Sequence, residues 1–456
     1  MGRPQLLKGA GLWRILASNR DALVCLFDQG VVSIAGFVTS VLIGRMAPAE
    51  LGIYYLGLTM VLFARGFQQQ LVSTPYTIYH HRRSDSDLPS YRGSCLLHYL
   101  AFLLVTSVYL LVQIAIALAG VAIFAWVCWG GAELSRWADW IHISADSIQV
   151  VPTLCVLLIL IPVVLLREIV RHFCFTHSEN VSVLGLDTAV SLLQVLALLG
   201  LGSFGLLSGA SAWAAIGVCC ALTIAYWYLR YGPAIEFKRE RLSEDWKLNW
   251  SFAKWAVSGQ FVGSLPTYLL PWLLLLAAGT EGTGFFAACM TLVGVANIFN
   301  VGMLNFLTPR AAHVYVNEGN NGLKRLLLQM YGLFLVAVGG FAAFLAIFGG
   351  LVAVKIFGPD YAGLQVTLIL LAVAKLFDGF SHTASGGLFA MEKIKANFWV
   401  DVILMLVTIT AALLLIEPYG VLGAAWTTLI GSSVCAVLRS GLVAHFLNQN
   451  QERIDG

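Results

Sequence analysis

The chain has 456 residues, of which 59% are hydrophobic and only 11% charged, with a formal net charge of +3. A soluble domain usually carries about 25% charged residues, so a water-exposed globule of this size could not cover its surface with this composition. The same arithmetic excludes disordered, fibrous and disulfide-rich secreted chains, and leaves a bundle whose exterior faces lipid.

In chain order, the start through Asp21 is basic and mildly amphipathic and lacks a short apolar run ending in a small-residue cleavage site. The first span is therefore expected to act as the targeting signal, with no removed signal peptide. Crossing a roughly 30 Å hydrocarbon core takes about 20 mostly apolar residues. Twelve such runs are present, at 22–44, 51–78, 95–126, 149–175, 181–202, 208–230, 251–278, 283–309, 325–350, 361–390, 396–416 and 420–446. The third is long and is expected to include a tilted end or an interfacial turn near Trp126 and Trp129. The segment 129–148, with Trp137, Trp140, Ile141 and Ile143 among acidic residues, reads as an interfacial helix. The longest polar stretch between spans, 231–250, reads as a linker between a six-span lobe at 1–230 and another at 251–456.

Orientation is set by Lys and Arg. With the N-terminus in the cytoplasm, most of the 27 basic residues fall on the inside, Arg82, Arg83, Arg92, Arg167, Arg171, Lys238 and Arg310 among them. Only Arg45, Arg136 and Lys355 fall in outside loops, which supports an even number of spans and two cytoplasmic termini. Six of the nine cysteines (Cys25, Cys155, Cys219, Cys220, Cys289 and Cys435) sit in apolar runs and read as small core residues.

The two halves repeat. Span two opens on Glu50-Leu51-Gly52 and span eight on Glu281-Gly282-Thr283-Gly284, each followed by two large residues. Asp187, Phe204-Gly205 and Ala212-Trp213 in spans five and six correspond to Asp401, Tyr419-Gly420 and Ala425-Trp426 in spans eleven and twelve. Six spans preserve orientation, so the repeat is parallel, about an axis along the membrane normal.

Three turns carry a family resemblance: Gly44-Arg45-Met46-Ala47-Pro48-Ala49-Glu50-Leu51-Gly52-Ile53-Tyr54, Phe357-Gly358-Pro359-Asp360-Tyr361-Ala362, and Pro418-Tyr419-Gly420-Val421-Leu422-Gly423-Ala424-Ala425-Trp426. With the six-plus-six plan, the chain resembles the polysaccharide-transporter branch of the multidrug/oligosaccharidyl-lipid/polysaccharide exporter superfamily along nearly its whole length. The resemblance implies an all-α polytopic membrane protein, with twelve transmembrane helices in two parallel-repeat six-helix lobes around a central cavity. It also implies a bacterial inner-membrane flippase that moves a lipid-linked oligosaccharide by alternating access.

Charges inside a bilayer are costly and mark candidate sites. Arg65 shares a helix face with Gln68 and Gln69, and a guanidinium flanked by amides suits a pyrophosphate head group. Arg65 would otherwise snorkel or pair with Asp28. Lys375 and Asp378, spaced i, i+3, read either as a local ion pair or as an anion ligand with its neighbour. Asp28, Asp378 and Asp401 are candidate acids for a Na⁺ or H⁺ coupling ion, with Asp401 and Asp187 weaker than Asp28, and Asp28 or Asp401 would otherwise satisfy a basic residue of a neighbouring helix. Asn297, on one face with Asn300, is a candidate for sugar hydroxyls or for helix bridging. Lys254 and Arg439 read as interfacial anchors.

The run His80-His81-Arg82-Arg83, with Arg92, forms a cationic patch suited to anionic membrane lipids, and otherwise serves only as a topology determinant. No histidine spacing suggests a metal site and no catalytic motif appears in a loop, so neither an enzyme nor nucleic-acid binding is expected. Partners expected beside the cargo are a polysaccharide polymerase or glycosyltransferase. The alternatives are a cation-coupled small-molecule antiporter and a non-transporting subunit of a polysaccharide synthase complex.

Overall fold

The computed structural model describes residues 20–129 and 138–455, and the described chain is helical apart from short turns. Arg3, Lys8 and Arg14 of the basic start, and Arg136 and Trp137 of the expected interfacial segment, lie outside the described residues. The helices are α1 (Arg20–Gly44), α2 (Pro48–Gln68), a π-turn (Gln69–Ser73), α3 (Thr74–His80), α4 (Leu88–Trp129), α5 (Ala138–Thr176), α6 (Asn180–Ser203) and α7 (Gly209–Tyr231). The second half has α8 (Arg239–Val293), α9 (Val295–Phe357), a 3-10 turn (Pro359–Tyr361), α10 (Gln365–Ala390) and α11 (Ile394–Asp455).

Three of these hold more than one span. Gly279, Gly319 and Gly420 sit at φ 70°, 63° and 53°, a left-handed backbone that only glycine adopts cheaply, and each ends one rod and starts the next. The second half thus has rods at 239–278, 280–318, 320–357, 365–390, 394–419 and 421–455. With α1, α2 continued through α3, and α4 to α7, twelve rods result, in two six-helix lobes. Apolar side chains such as Leu104, Leu196, Leu229 and Val336 are more than half exposed along their flanks, as a lipid-facing surface requires.

One open point is decided and one expectation changes. The third span is one continuous helix, α4, which excludes the interfacial turn and leaves the long, tilted end. The polar stretch at 231–250 is a loop only to Lys238; from Arg239 it is already helix and packs on the first lobe, with Arg83 donating to Asp245 at 2.5 Å and Tyr91 to Asn249 at 2.9 Å.

The lobes meet at the end opposite the basic patch. There α2 crosses the rod that starts at Thr280, and neither Gly52 nor Gly284 has room for a Cβ: Gly52 lies against the Thr280 carbonyl and Gly284 against that of Pro48. These are the two glycines of the sequence repeat, brought face to face. Beside them Arg45 donates to the Ile356 carbonyl at 2.7 Å, Tyr361 to that of Gly44 at 2.9 Å, and Thr280 to Gln149 at 3.0 Å. Within the first lobe, Ser208 and Ser211 form a reciprocal cap on α7, and Glu50 of α2 accepts from the Gly209 amide at 2.7 Å. Trp213 then stacks on Tyr54 at 5.3 Å and donates to its carbonyl at 3.2 Å.

Candidate functional site

Each lobe encloses its own charge network. In the first, α5 supplies Arg167, Glu168 and Arg171, which project over one turn toward α1, α2 and α6. Arg171 lies 2.5 Å from Asp28 of α1 and 2.6 Å from Asp187 of α6. Arg167 pairs with Asp187 and lies 3.7 Å from Glu168. Arg65 of α2 reaches Glu168 at 3.0 Å. Three guanidinium groups thus face three carboxylates. Asp28 and Asp187 are at 1% and 0% exposure, whereas the Arg65 side chain is 33% exposed and is the open corner of the network.

Arg167 and Arg171 correct the sequence reading, which places them with the cytoplasmic loops. They lie inside α5, and the acids they meet come from α5 itself, from the following helix α6 and from α1. The Arg65–Asp28 pair considered from sequence is replaced by two others, Arg65–Glu168 and Arg171–Asp28. Of the three residues expected on one polar face, only Arg65 joins the network. Gln68 is buried and donates to Ser73 across the π-turn at 3.4 Å, and Gln69 is half-buried within that turn. The π-turn inserts an extra residue into the backbone ladder just past Arg65 and rotates the helix beyond it.

In the second lobe Lys375 and Asp378 form a local pair at 2.9 Å, and Ser432 of α11 donates to the free oxygen of Asp378 at 2.5 Å. Arg439 is buried in the last rod, where it donates to Asp401 at 2.5 Å and to Ser381 at 2.8 Å. Its reading as an interfacial anchor is therefore corrected. Asp187 and Asp401, matched in the repeat, each receive arginine, but from α5 in one lobe and from the twelfth rod in the other. Asn297 is exposed at the start of α9 and stands apart from both networks, while Asn300 is buried. Lys254 is exposed and lies over Trp255 at 5.7 Å, as an interfacial lysine does.

Between α2, α4, α5 and the 239–278 rod lies an apolar cavity of about 560 Å³. Phe63, Phe67, Phe102, Tyr268 and Trp272 supply much of its wall, and Trp272 donates to Thr59 at 3.2 Å across it. Val105 and Ile116, both mostly exposed, line its rim, so it opens sideways from the bundle. Ala64 and Phe67, on either side of Arg65 in the chain, lie in this wall, while the Arg65 guanidinium itself turns to Glu168.

No protein-family model matches the chain, and no curated protein matches it in sequence. Solved structures do match its fold. An inward-facing multidrug resistance MATE family transporter of the MOP superfamily superposes with a TM-score of 0.70 at 15% identity, covering 92% of this chain and 96% of that one. The lipid II flippase MurJ, in an inward closed conformation, gives 0.69 at 16% identity over 92% and 87%. A MOP superfamily transporter from Pyrococcus furiosus gives 0.61 at 13% over 93% and 94%. At such identities a likeness speaks for architecture, and the architecture here is the multi-pass membrane fold of MOP superfamily transporters.

Proposed function

We propose that the protein is an alternating-access flippase that moves a polyprenyl-pyrophosphate-linked oligosaccharide across a bacterial cytoplasmic membrane for surface polysaccharide assembly. The observation that carries this reading is the partly exposed Arg65 guanidinium, on the helix whose neighbouring residues Ala64 and Phe67 line the sideways-opening aromatic cavity. Such a cargo has an anionic head that needs a cationic donor and a long tail that stays in hydrocarbon. Lys375 would assist in the second lobe, and the exposed Asn297 would meet sugar hydroxyls. In this reading the lobes 1–230 and 251–456 rock about the short loop that ends at Lys238, with both termini cytoplasmic. Asp28, Asp378 and Asp401 take up the Na⁺ or H⁺ that drives the cycle, and a polymerase or glycosyltransferase hands on the cargo.

One observation favours a second reading, a cation-coupled small-molecule antiporter. The first-lobe network is already neutral, three arginines against three carboxylates, which suits exchange of a proton or Na⁺ better than capture of a dianion. Transfer of a fluorescent undecaprenyl-pyrophosphate oligosaccharide across proteoliposomes, scored by access to an external glycan-cleaving enzyme, separates the two. The flippase reading expects protein-dependent transfer that falls about tenfold or more in Arg65→Ala, by the loss of one charge-assisted contact. Folded protein that transfers no glycan lipid yet exports a small molecule when an opposing Na⁺ or H⁺ gradient is imposed would establish the antiporter instead.

A further inference from the structure

The basic end of the first lobe holds a second cavity, of about 480 Å³, whose wall comes from the π-turn, α3, α4, α5, α7 and linker residues Pro233 and Ile235. No residue of α8 to α11 lines it. The wall is nearly all hydrocarbon. Yet Arg92 Nε is buried among its lining residues without a hydrogen-bond partner, and Tyr76 Oη and Trp227 Nε1, buried beside it, have only the Arg92 guanidinium and the weakly accepting Cys174 sulfur within reach. All three can donate and none meets a strong acceptor, and buried donors left so are costly enough that an acceptor is expected.

They gather around one ring: Tyr76 stacks on Phe173 at 5.9 Å, Trp227 meets its edge at 5.8 Å, and the Arg92 guanidinium lies 5.2 Å from its centre. Arg83 and Arg241, at the same end, are matched by Asp245 and Asp87. Arg92 has no carboxylate partner among the described residues. Its polar contacts are long, 3.4 Å to the Ala234 carbonyl and 3.5 Å to His177 Nε2.

We propose that this cavity holds one anionic phospholipid, with its phosphate at Arg92, Tyr76 and Trp227 and an acyl chain along the wall toward Ala221 and Val163. An uncompensated cation at the end of a hydrocarbon-lined slot is the complement of such a lipid, and the volume is that of an ordinary ligand site. The exposed residues Ala225 and Tyr228 of α7 line the cavity, and Leu222 and Leu229 continue the same helix as exposed apolar surface, so a lipid enters sideways. The transported cargo is a poorer occupant, because a site built from one lobe does not lie between the two. Bound lipid would also fix the linker. The Glu236 amide donates to the Pro89 carbonyl at 3.0 Å, and the Glu236 carbonyl fills the space a side chain at Gly93 would need. The lipid site requires only the bilayer location and is the same for either cargo.

The test reconstitutes the full chain in nanodiscs of phosphatidylcholine and phosphatidylglycerol and counts lipids retained in mild detergent by native mass spectrometry. One phosphatidylglycerol per chain is expected. Arg92→Gln should lower its retention about tenfold, the loss of a charge-assisted contact. Ala221→Phe, which fills the slot with Arg92 intact, should do the same, while exposed Arg82→Gln should leave retention unchanged. Trp227→Phe keeps the ring, removes one donor, and gives a milder loss if Ala221→Phe does not fold. Millimolar inorganic phosphate should not displace the lipid. Equal retention of phosphatidylcholine, displacement by phosphate alone, an equal effect of Arg82→Gln, or wild-type retention by folded Ala221→Phe or Trp227→Phe overturns the proposal.

Discussion

Arg171 stands within 4 Å of three carboxylates, those of Asp28, Asp187 and Glu168. Removing one partner of a buried ion pair leaves an unpaired buried charge, at a cost of about 3–5 kcal/mol. Arg171→Gln should therefore lower the thermal transition of the detergent-solubilised protein sharply, and adding Asp28→Asn should restore part of the loss. A double variant no better than the single would mean that the two groups do not interact. At the basic end, burial first, with His177, His81 and Arg92 adding and Asp85 opposing, pushes the His80 pKa down from 6.5 to about 4. The unfolded chain then binds more protons between those values, so stability falls as pH drops below about 6.5 and levels off below about 4. The difference in melting temperature between wild type and His80→Asn should track that window. Arg65, Lys375, Asp28, Asp378 and Asp401 could be picked out because each interrupts an apolar run. Arg167, Glu168 and Arg171 could not, because three charges within five residues near a span end look the same as a loop.

Helix α2 shows what an element encodes. Its Glu50 and Gly52 were legible as one copy of a repeat, and Gly52 lies against the rod that carries the other copy. Gly284→Ala places a Cβ against the Pro48 backbone, an overpacking cost of about 1–3 kcal/mol that the lobes can relieve only by parting. Spin labels on α2 and on the 280–318 rod should report a longer separation in Gly284→Ala than in wild type. An unchanged distance with unchanged stability would show that the contact is slack. The breaks at Gly279 and Gly420 were legible because spans of about 20 residues must end somewhere and glycine marks the place. The π-turn after Gln68 was not, since Gln69-Gln70-Leu71-Val72-Ser73 has no residue that forbids an ordinary helix.

For the whole molecule, the end at Arg45 and Ile356 is closed by paired backbone and side-chain contacts between the lobes. If transport needs that end to open, a thiol crosslinker joining Arg45→Cys to Ile356→Cys should abolish it. A cleavable crosslinker should restore it on reduction. The exposed native Cys155 is replaced by serine in this background, and the uncrosslinked double variant is the control. Cargo transfer that persists in fully crosslinked protein would rule out a rocking motion at this end.

The sequence by itself determined the solvent, the number and order of the spans, the parallel duplication and several of the charged residues that form the two ion-pair networks. These depend on composition and on period and length along the chain, which are local properties. Tertiary structure alone decided which acid each arginine meets, that the charges divide into two separate networks, and that Arg92, with no carboxylate partner among the described residues, borders a hydrocarbon-lined cavity. Partners such as Asp28 and Arg171 are 143 residues apart and meet only because α1 and α5 both pack against α6. No pattern along the chain records which helices will be neighbours.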